Sequence, residues 1–277
     1  MPSPGILLLR ESSAVALRPR AFLRRAAVLV PLALLIFIAW SVSAPSGGVY
    51  TSQSLGGLAR ALMGTFYVGI TLVLLFAMPG ATGGMIAGER EEGSLELLQM
   101  TPLGSYQIVA EKFLARIAYA VKLLVLAGPL FCTPLFFGGV TFTEIATAIL
   151  FPLSAAVWVA AVGLVCSALH RRAAPAVLWT YLAAVAWHVL GWGLLAFLEL
   201  VGDPAVGVHL LPLWSYLLMP VVQNMNRHQP ELLWMLPLET AAFAAGCVVL
   251  AGWLMGREER AAAGREASVQ ARRRVWE

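Results

Sequence analysis

The side chains best suited to chemistry gather in one stretch. Glu89, Arg90, Glu91 and Glu92 are consecutive, Glu96 follows four positions later, and Glu111 closes the stretch, so five of the fifteen acidic residues fall within residues 81–116. Carboxylates do acid–base work when acids or histidines gather at one site. No histidine accompanies these. The three cysteines, Cys132, Cys166 and Cys247, each lie inside an apolar run, where a cysteine packs as a small apolar residue. That placement argues against a disulfide framework and against a metal cluster. A phosphate-binding loop of the form G-x-x-x-x-G-K-[ST] is absent, because neither Lys112 nor Lys122 follows a glycine. The chain is therefore read as no enzyme, with no metal and no cofactor of its own.

Polar residues within apolar runs form the second group. Lys122 lies six residues past Arg116, about 9 Å deeper along a helix. At that depth a lysine snorkels to the membrane surface or pairs with a loop glutamate, which fits better than a substrate role. His188 falls in mid-span, where an interhelical hydrogen bond suits it better than a proton relay. Glu199 and Glu239 stand near the outer boundary and are expected to face water.

The elements that position these residues follow from composition. The 277 residues are 60 % hydrophobic and 12 % charged, whereas a soluble domain carries roughly 25 % charged residues. Six apolar blocks run over 26–44, 62–80, 117–137, 145–169, 174–198 and 236–255. Blocks of about 18 or more such residues match the ~30 Å hydrocarbon core, and lipid forces them to be helices. The fold class is all-α, a polytopic membrane protein of six spans. Residues 209–222 are apolar but too short to span and hold two prolines, so a re-entrant or interfacial segment is expected between spans five and six.

Orientation follows from lysine and arginine beside the spans. Sixteen of the nineteen lie before the first span, between spans two and three, between four and five, or after the last. Only Arg60 and Arg227 fall on the other side. Both termini are thus expected in the cytoplasm of a cell bounded by a plasma (inner) membrane, and the net charge of +4 is topological, so no nucleic acid is expected as a partner. Residues 1–25 mix leucines with arginines as an amphipathic helix on membrane lipid does, broken near Pro19. The first block reads as a retained anchor, because Pro45 would follow the small-residue cut after Val42-Ser43-Ala44.

An acid-rich loop on the basic side needs a reason other than topology. Ser94 can cap a short helix with Glu96 in its first turn. Leu95, Leu97 and Leu98 give that helix an apolar face, Thr101-Pro102 ends it, and Ser105 caps the next long helix. Exposed leucines beside carboxylates suit a plug for a partner protein. Gly80, Gly84 and Gly88 recur at spacing four and permit close backbone approach, either as packing or as a joint into the span.

The run Gly88-Glu89-Arg90-Glu91-Glu92-Gly93-Ser94-Leu95-Glu96-Leu97-Leu98-Gln99-Met100-Thr101-Pro102-Leu103 resembles the motif of type-2 permease subunits of ATP-binding-cassette (ABC) transporters, E-R-E-x-G-T-L-E-x-L-x-x-T-P-L-S with a later lysine. Glu89, Arg90, Glu91, Gly93, Leu95, Glu96, Leu98, Thr101, Pro102 and Leu103 match, with Lys112 downstream. Ser94 and Gly104 depart from it. The resemblance implies a coupling helix between spans two and three that docks on a separate cytoplasmic ATPase, which binds the ATP and magnesium. It further implies a second permease subunit, identical or similar, and transport, as an exporter. On this reading residues 1–25 are the N-terminal segment and 26–256 the permease domain. Within that domain, 81–116 form the coupling loop and 199–235 the extracytoplasmic loop; 257–277 are a basic tail. Two alternatives stay open. An ion-driven transporter would want repeats and midplane charge, and a membrane anchor in an assembly complex would want neither.

Overall fold

The computed structural model describes residues 51–95, 104–201 and 232–276, together with seven residues between 30 and 41. Among the described residues every regular element is a helix: α1 (Ser52–Thr82), α2 (Ala87–Glu91), α3 (Ser105–Phe137), α4 (Phe142–Leu169), α5 (Ala173–Val201) and α6 (Leu232–Trp276). Five stretches are long and apolar enough to cross a membrane: α1 continued through α2, α3, α4, the Ala173–Leu190 part of α5 and the Pro237–Glu258 part of α6. They coincide with the second to sixth expected blocks. Of the block at 26–44, Val30, Ala33, Leu34, Phe37, Ile38, Trp40 and Ser41 are described, and all are helical. Residues 1–25, the 209–222 segment and residues 96–103 lie outside the described residues.

The helices run further than the apolar blocks because capping, not hydropathy, decides where they begin. Thr51 and Ser54 bond reciprocally across the first turn of α1, and Thr141 and Glu144 do the same for α4. Each pair satisfies amide groups that a helix start leaves open. Arg60 consequently sits exposed inside α1 rather than in a loop. Ser105 does not cap α3; Gly104 holds that position without a side-chain bond, and Ser105 is the first helical residue. The tail expected at 257–277 continues α6 as helix through Trp276.

Helix α4 is the centre of the bundle and packs against α1, α3, α5 and α6. It is apolar on all sides, the mark of a buried helix. Its small buried residues Ser154, Ala155, Ala156, Ala160, Ala161, Gly163 and Ser167 let neighbouring backbones approach. The outward surface carries large apolar side chains such as Phe76, Val125, Phe136, Phe142 and Leu190, a surface suited to hydrocarbon rather than water.

Candidate functional site

At one end of the bundle the connector from α1 to α3 meets the α4–α5 turn and α6. Helix α1 ends at Thr82, and a turn over 83–86 leads into α2. The first amides of α2 need acceptors, and Ile86 has no side-chain cap. The buried Ser167 hydroxyl of α4 supplies one: the Ile86 and Ala87 N–H groups both donate to it, at 2.8 and 3.0 Å.

Three consecutive charged residues on α2 then reach three different neighbours. Glu89 pairs through Oε1 with the Lys112 ammonium of α3. Arg90 donates through Nη1 to the His170 carbonyl (2.8 Å), through both terminal nitrogens to the Ala168 carbonyl (3.4 Å), and through Nη2 to the Glu258 carboxylate of α6 (2.7 Å). Glu91 accepts from the Ala173 N–H at 3.0 Å. The chemistry matches the helix ends. Ala168 and His170 close α4, where unpaired carbonyls and the dipole favour a cation; Ala173 opens α5, where free amides favour an anion.

Magnitudes separate anchors from embellishments. Glu258 is 57 % exposed, so its pairing with Arg90 contributes about 0–1 kcal/mol. Hydrogen bonds from a charged donor to carbonyls contribute about 1.5–3 kcal/mol, so the grip on α4 dominates. The Glu89–Lys112 pair is more sheltered, with side chains 25 % and 16 % exposed. Glu89 Oε2 is buried there with no hydrogen-bond partner.

Below this polar layer the contact becomes steric. A Cβ on Gly83 would lie 2.7 Å from the Val177 Cα and 2.9 Å from the Thr180 hydroxyl. A Cβ on Gly163 would overlap the Thr82 hydroxyl. The Tyr181 hydroxyl donates to the Phe76 carbonyl (2.7 Å) across the same seam between α1 and α5.

No known protein family and no curated protein matches the chain. The site rests on its own geometry.

Of the residues singled out from the sequence, Glu89, Arg90, Glu91, Gly93 and Leu95 meet at this junction, while Glu96, Leu98, Thr101 and Pro102 lie outside the described residues. The local picture differs from the expected one. A short helix, α2, precedes Gly93, and Ser94 and Leu95 after it are themselves helical, with Ser94 inside the helix rather than before it; 96–103 lie outside the described residues. Gly93 turns the chain with φ +72°, a backbone region that favours glycine. Ser94 donates back to the Glu89 carbonyl (3.3 Å), and Leu95 is buried at 7 % exposure, packed on the core rather than offered outward. Among the described connector residues Glu92 and Gly93 form the exposed tip, beside Glu91, which is exposed too.

Gly80, Gly84 and Gly88 do not share one continuous helix, since α1 stops before Gly84; each nonetheless faces α5, near Tyr181, Ala173 and Ala173 respectively. Gly83 makes the closest approach and was not singled out, although the Gly83-Gly84 doublet could have flagged it. Ser167 and Glu258 were missed too. A serine in an apolar run carries no signal of its own, and Glu258 is masked by the arginines around it. Lys122 is exposed, and it is Lys112 that pairs with a connector glutamate.

Proposed function

We propose that this chain is the membrane subunit of a transporter driven by a separate cytoplasmic ATPase, with the layout of a type-2 ABC permease. It acts as an exporter, with six spans, both ends in the cytoplasm and residues 81–116 as the coupling loop. The motif resemblance suggests the class, and one observation carries the mechanism. Glu89, Arg90 and Glu91, the charged core of the motif, each hold a different helix of the same chain. A partner that pushes on the exposed tip at Glu92 and Gly93 thereby loads α3, α4, α5 and α6 together. Coupling of this kind needs a rigid connector with bonds to several spans, and it needs no chemistry from the connector itself. ATP and magnesium belong to the ATPase, and a second permease subunit completes the pathway.

The test separates docking from rigidity. Purification from native membrane should bring down an ATPase that carries the phosphate-binding loop this chain lacks; reproducible recovery of the intact chain alone would favour an ion-driven carrier. Glu92→Lys, at the exposed tip, should lower ATPase retention with an unchanged unfolding temperature. Glu89→Lys should lower both, because it places two ammonium groups together. Full retention of the ATPase by both variants would remove this loop from the docking surface.

A further inference from the structure

A second polar cluster lies away from the junction, at the depth of the apolar stretches. Trp158 of α4 is buried at 5 % exposure. Trp187 of α5 packs on it with ring centroids 5.0 Å apart, His188 meets it edge-on at 6.4 Å, and Phe243 of α6 stacks at 6.1 Å. The Ala184 carbonyl can only accept, so His188 donates to it through Nδ1 (2.7 Å), which fixes the imidazole plane. Glu239 stands one helical turn before Phe243 on the same face of α6, about 6 Å along the axis. Its Oε2 is buried and has no hydrogen-bond partner. Glu239 was expected to face water; it is half-buried near the start of a stretch apolar enough to cross a membrane, with one carboxylate oxygen turned inward.

A buried carboxylate oxygen without a partner is costly in such surroundings, and ionisable groups kept there point to function. Trp158 is covered by its neighbours and props the rings beside it, so the ring faces on offer are those of the partly exposed Trp187 and Phe243, and they favour the same visitor as the carboxylate. Both attract positive charge: the rings through their quadrupoles, the oxygen through its lone pairs. An anion would be repelled by both, and a neutral apolar molecule would leave the oxygen unsatisfied. Phe243 is 42 % exposed, so the cluster opens onto the flank of the bundle, where a molecule dissolved in the membrane can enter. We infer that Glu239, with Trp187 and Phe243 propped on Trp158, forms a binding site for an amphiphilic organic cation taken from the surrounding bilayer. The inference rests on the transport reading, which it deepens by naming a substrate class.

The probe is tetraphenylphosphonium, measured by equilibrium dialysis against the purified full chain in lipid nanodiscs and by quenching of tryptophan fluorescence. Binding should saturate. Glu239→Gln, which keeps the size and removes the charge, should weaken it at least about tenfold, and Trp187→Leu about three- to tenfold. Glu239→Gln should unfold at an unchanged or higher temperature, since it keeps the shape of a half-buried side chain and lets an amide replace the oxygen that has no partner. Tetraphenylborate, an anion of the same shape, should not displace the phosphonium. Wild-type affinity in Glu239→Gln, or displacement by the borate as effective as by the cation, would overturn the site and leave only nonspecific partition. Should the glutamine variant fail to fold, Phe243→Ala at the open flank reads the same site, and unaltered binding there is equally fatal. No ATPase enters the assay, so failed binding leaves the coupling reading standing. Conversely, intact binding with no ATPase partner would sink the coupling reading alone.

Discussion

The two ends of the bundle are held in opposite ways. At the end away from the connector, the polar bonds among the described residues are local: Thr51 with Ser54, and Thr141 with Thr143 and Glu144, three residues apart or fewer. At the connector end, beside local bonds such as Ser94 to Glu89, the bonds of Glu89, Arg90, Glu91 and Ser167 join parts of the chain 23 to 168 residues apart. A local cap stabilises its own helix whether or not the rest of the protein has folded. The Arg90 fork has nothing to hold until α4 and α6 are in place. The first end is thus a set of independent helix starts, and the second is a cooperative joint. A joint transmits displacement, which is what the proposed coupling requires.

The steric layer under the joint should give the largest effect. Gly83→Ala places a methyl 2.7 Å from the Val177 backbone, and backbone in a buried helix pair cannot move aside as a side chain can. We expect a loss of about 3 kcal/mol or more, read as a collapse in the unfolding temperature of the detergent-solubilised protein. Gly84→Ala, one residue on, meets only ordinary contacts at 3.5 and 3.8 Å and should fall within about 0.5 kcal/mol of the wild type. Equal losses in the two would mean that helix spacing at this end is not set by Gly83, and the contrast with the far end would weaken.

The polar layer should come next. Arg90→Ala leaves the Ala168 and His170 carbonyls without their charged donor and should cost about 2–3 kcal/mol. Ser167→Ala strips the acceptor from two buried amides and should cost about 1–3 kcal/mol. Both changes free the same short helix, so the double variant should lose clearly less than the sum. Glu258→Ala, removing a half-exposed partner, should cost under about 1 kcal/mol. Strict additivity of the first two would show that the connector is not one unit.

Much of this architecture was legible in the sequence. Five of the six apolar blocks correspond to helices able to cross a membrane, because in hydrocarbon a helix is the one way a single segment satisfies its backbone. The motif residues Glu89, Arg90 and Glu91 gather where the connector meets α3, α4 and α5. What hydropathy could not say was how the connector folds. Ser94 was expected to cap forward and Leu95 to face outward, but the Gly93 turn sends the hydroxyl back to Glu89 and the leucine into the core. The burial of the leucine depends on the helices packed into the core around it, which no local rule can see. Ser167 illustrates the same limit: its value lies wholly in two amides 80 and 81 residues away. Glu239 shows it inside a span, where burial of one oxygen depends on neighbouring helices rather than on distance from the boundary.

The far end should give the smallest effects and the simplest arithmetic. Thr51→Ala and Thr141→Ala each remove a side-chain acceptor from a helix start and should cost about 1 kcal/mol apiece. The two caps belong to different helices and share no partner, so the double variant should lose the sum within about 0.5 kcal/mol. Thermal unfolding of the two singles and the double, beside the Arg90 and Ser167 set, compares the ends directly. Additivity at the caps with strong coupling at the connector is the signature of independent starts facing a cooperative joint. Comparable coupling at both ends would mean the whole bundle folds as one lattice, and the connector joint would not stand apart from the caps.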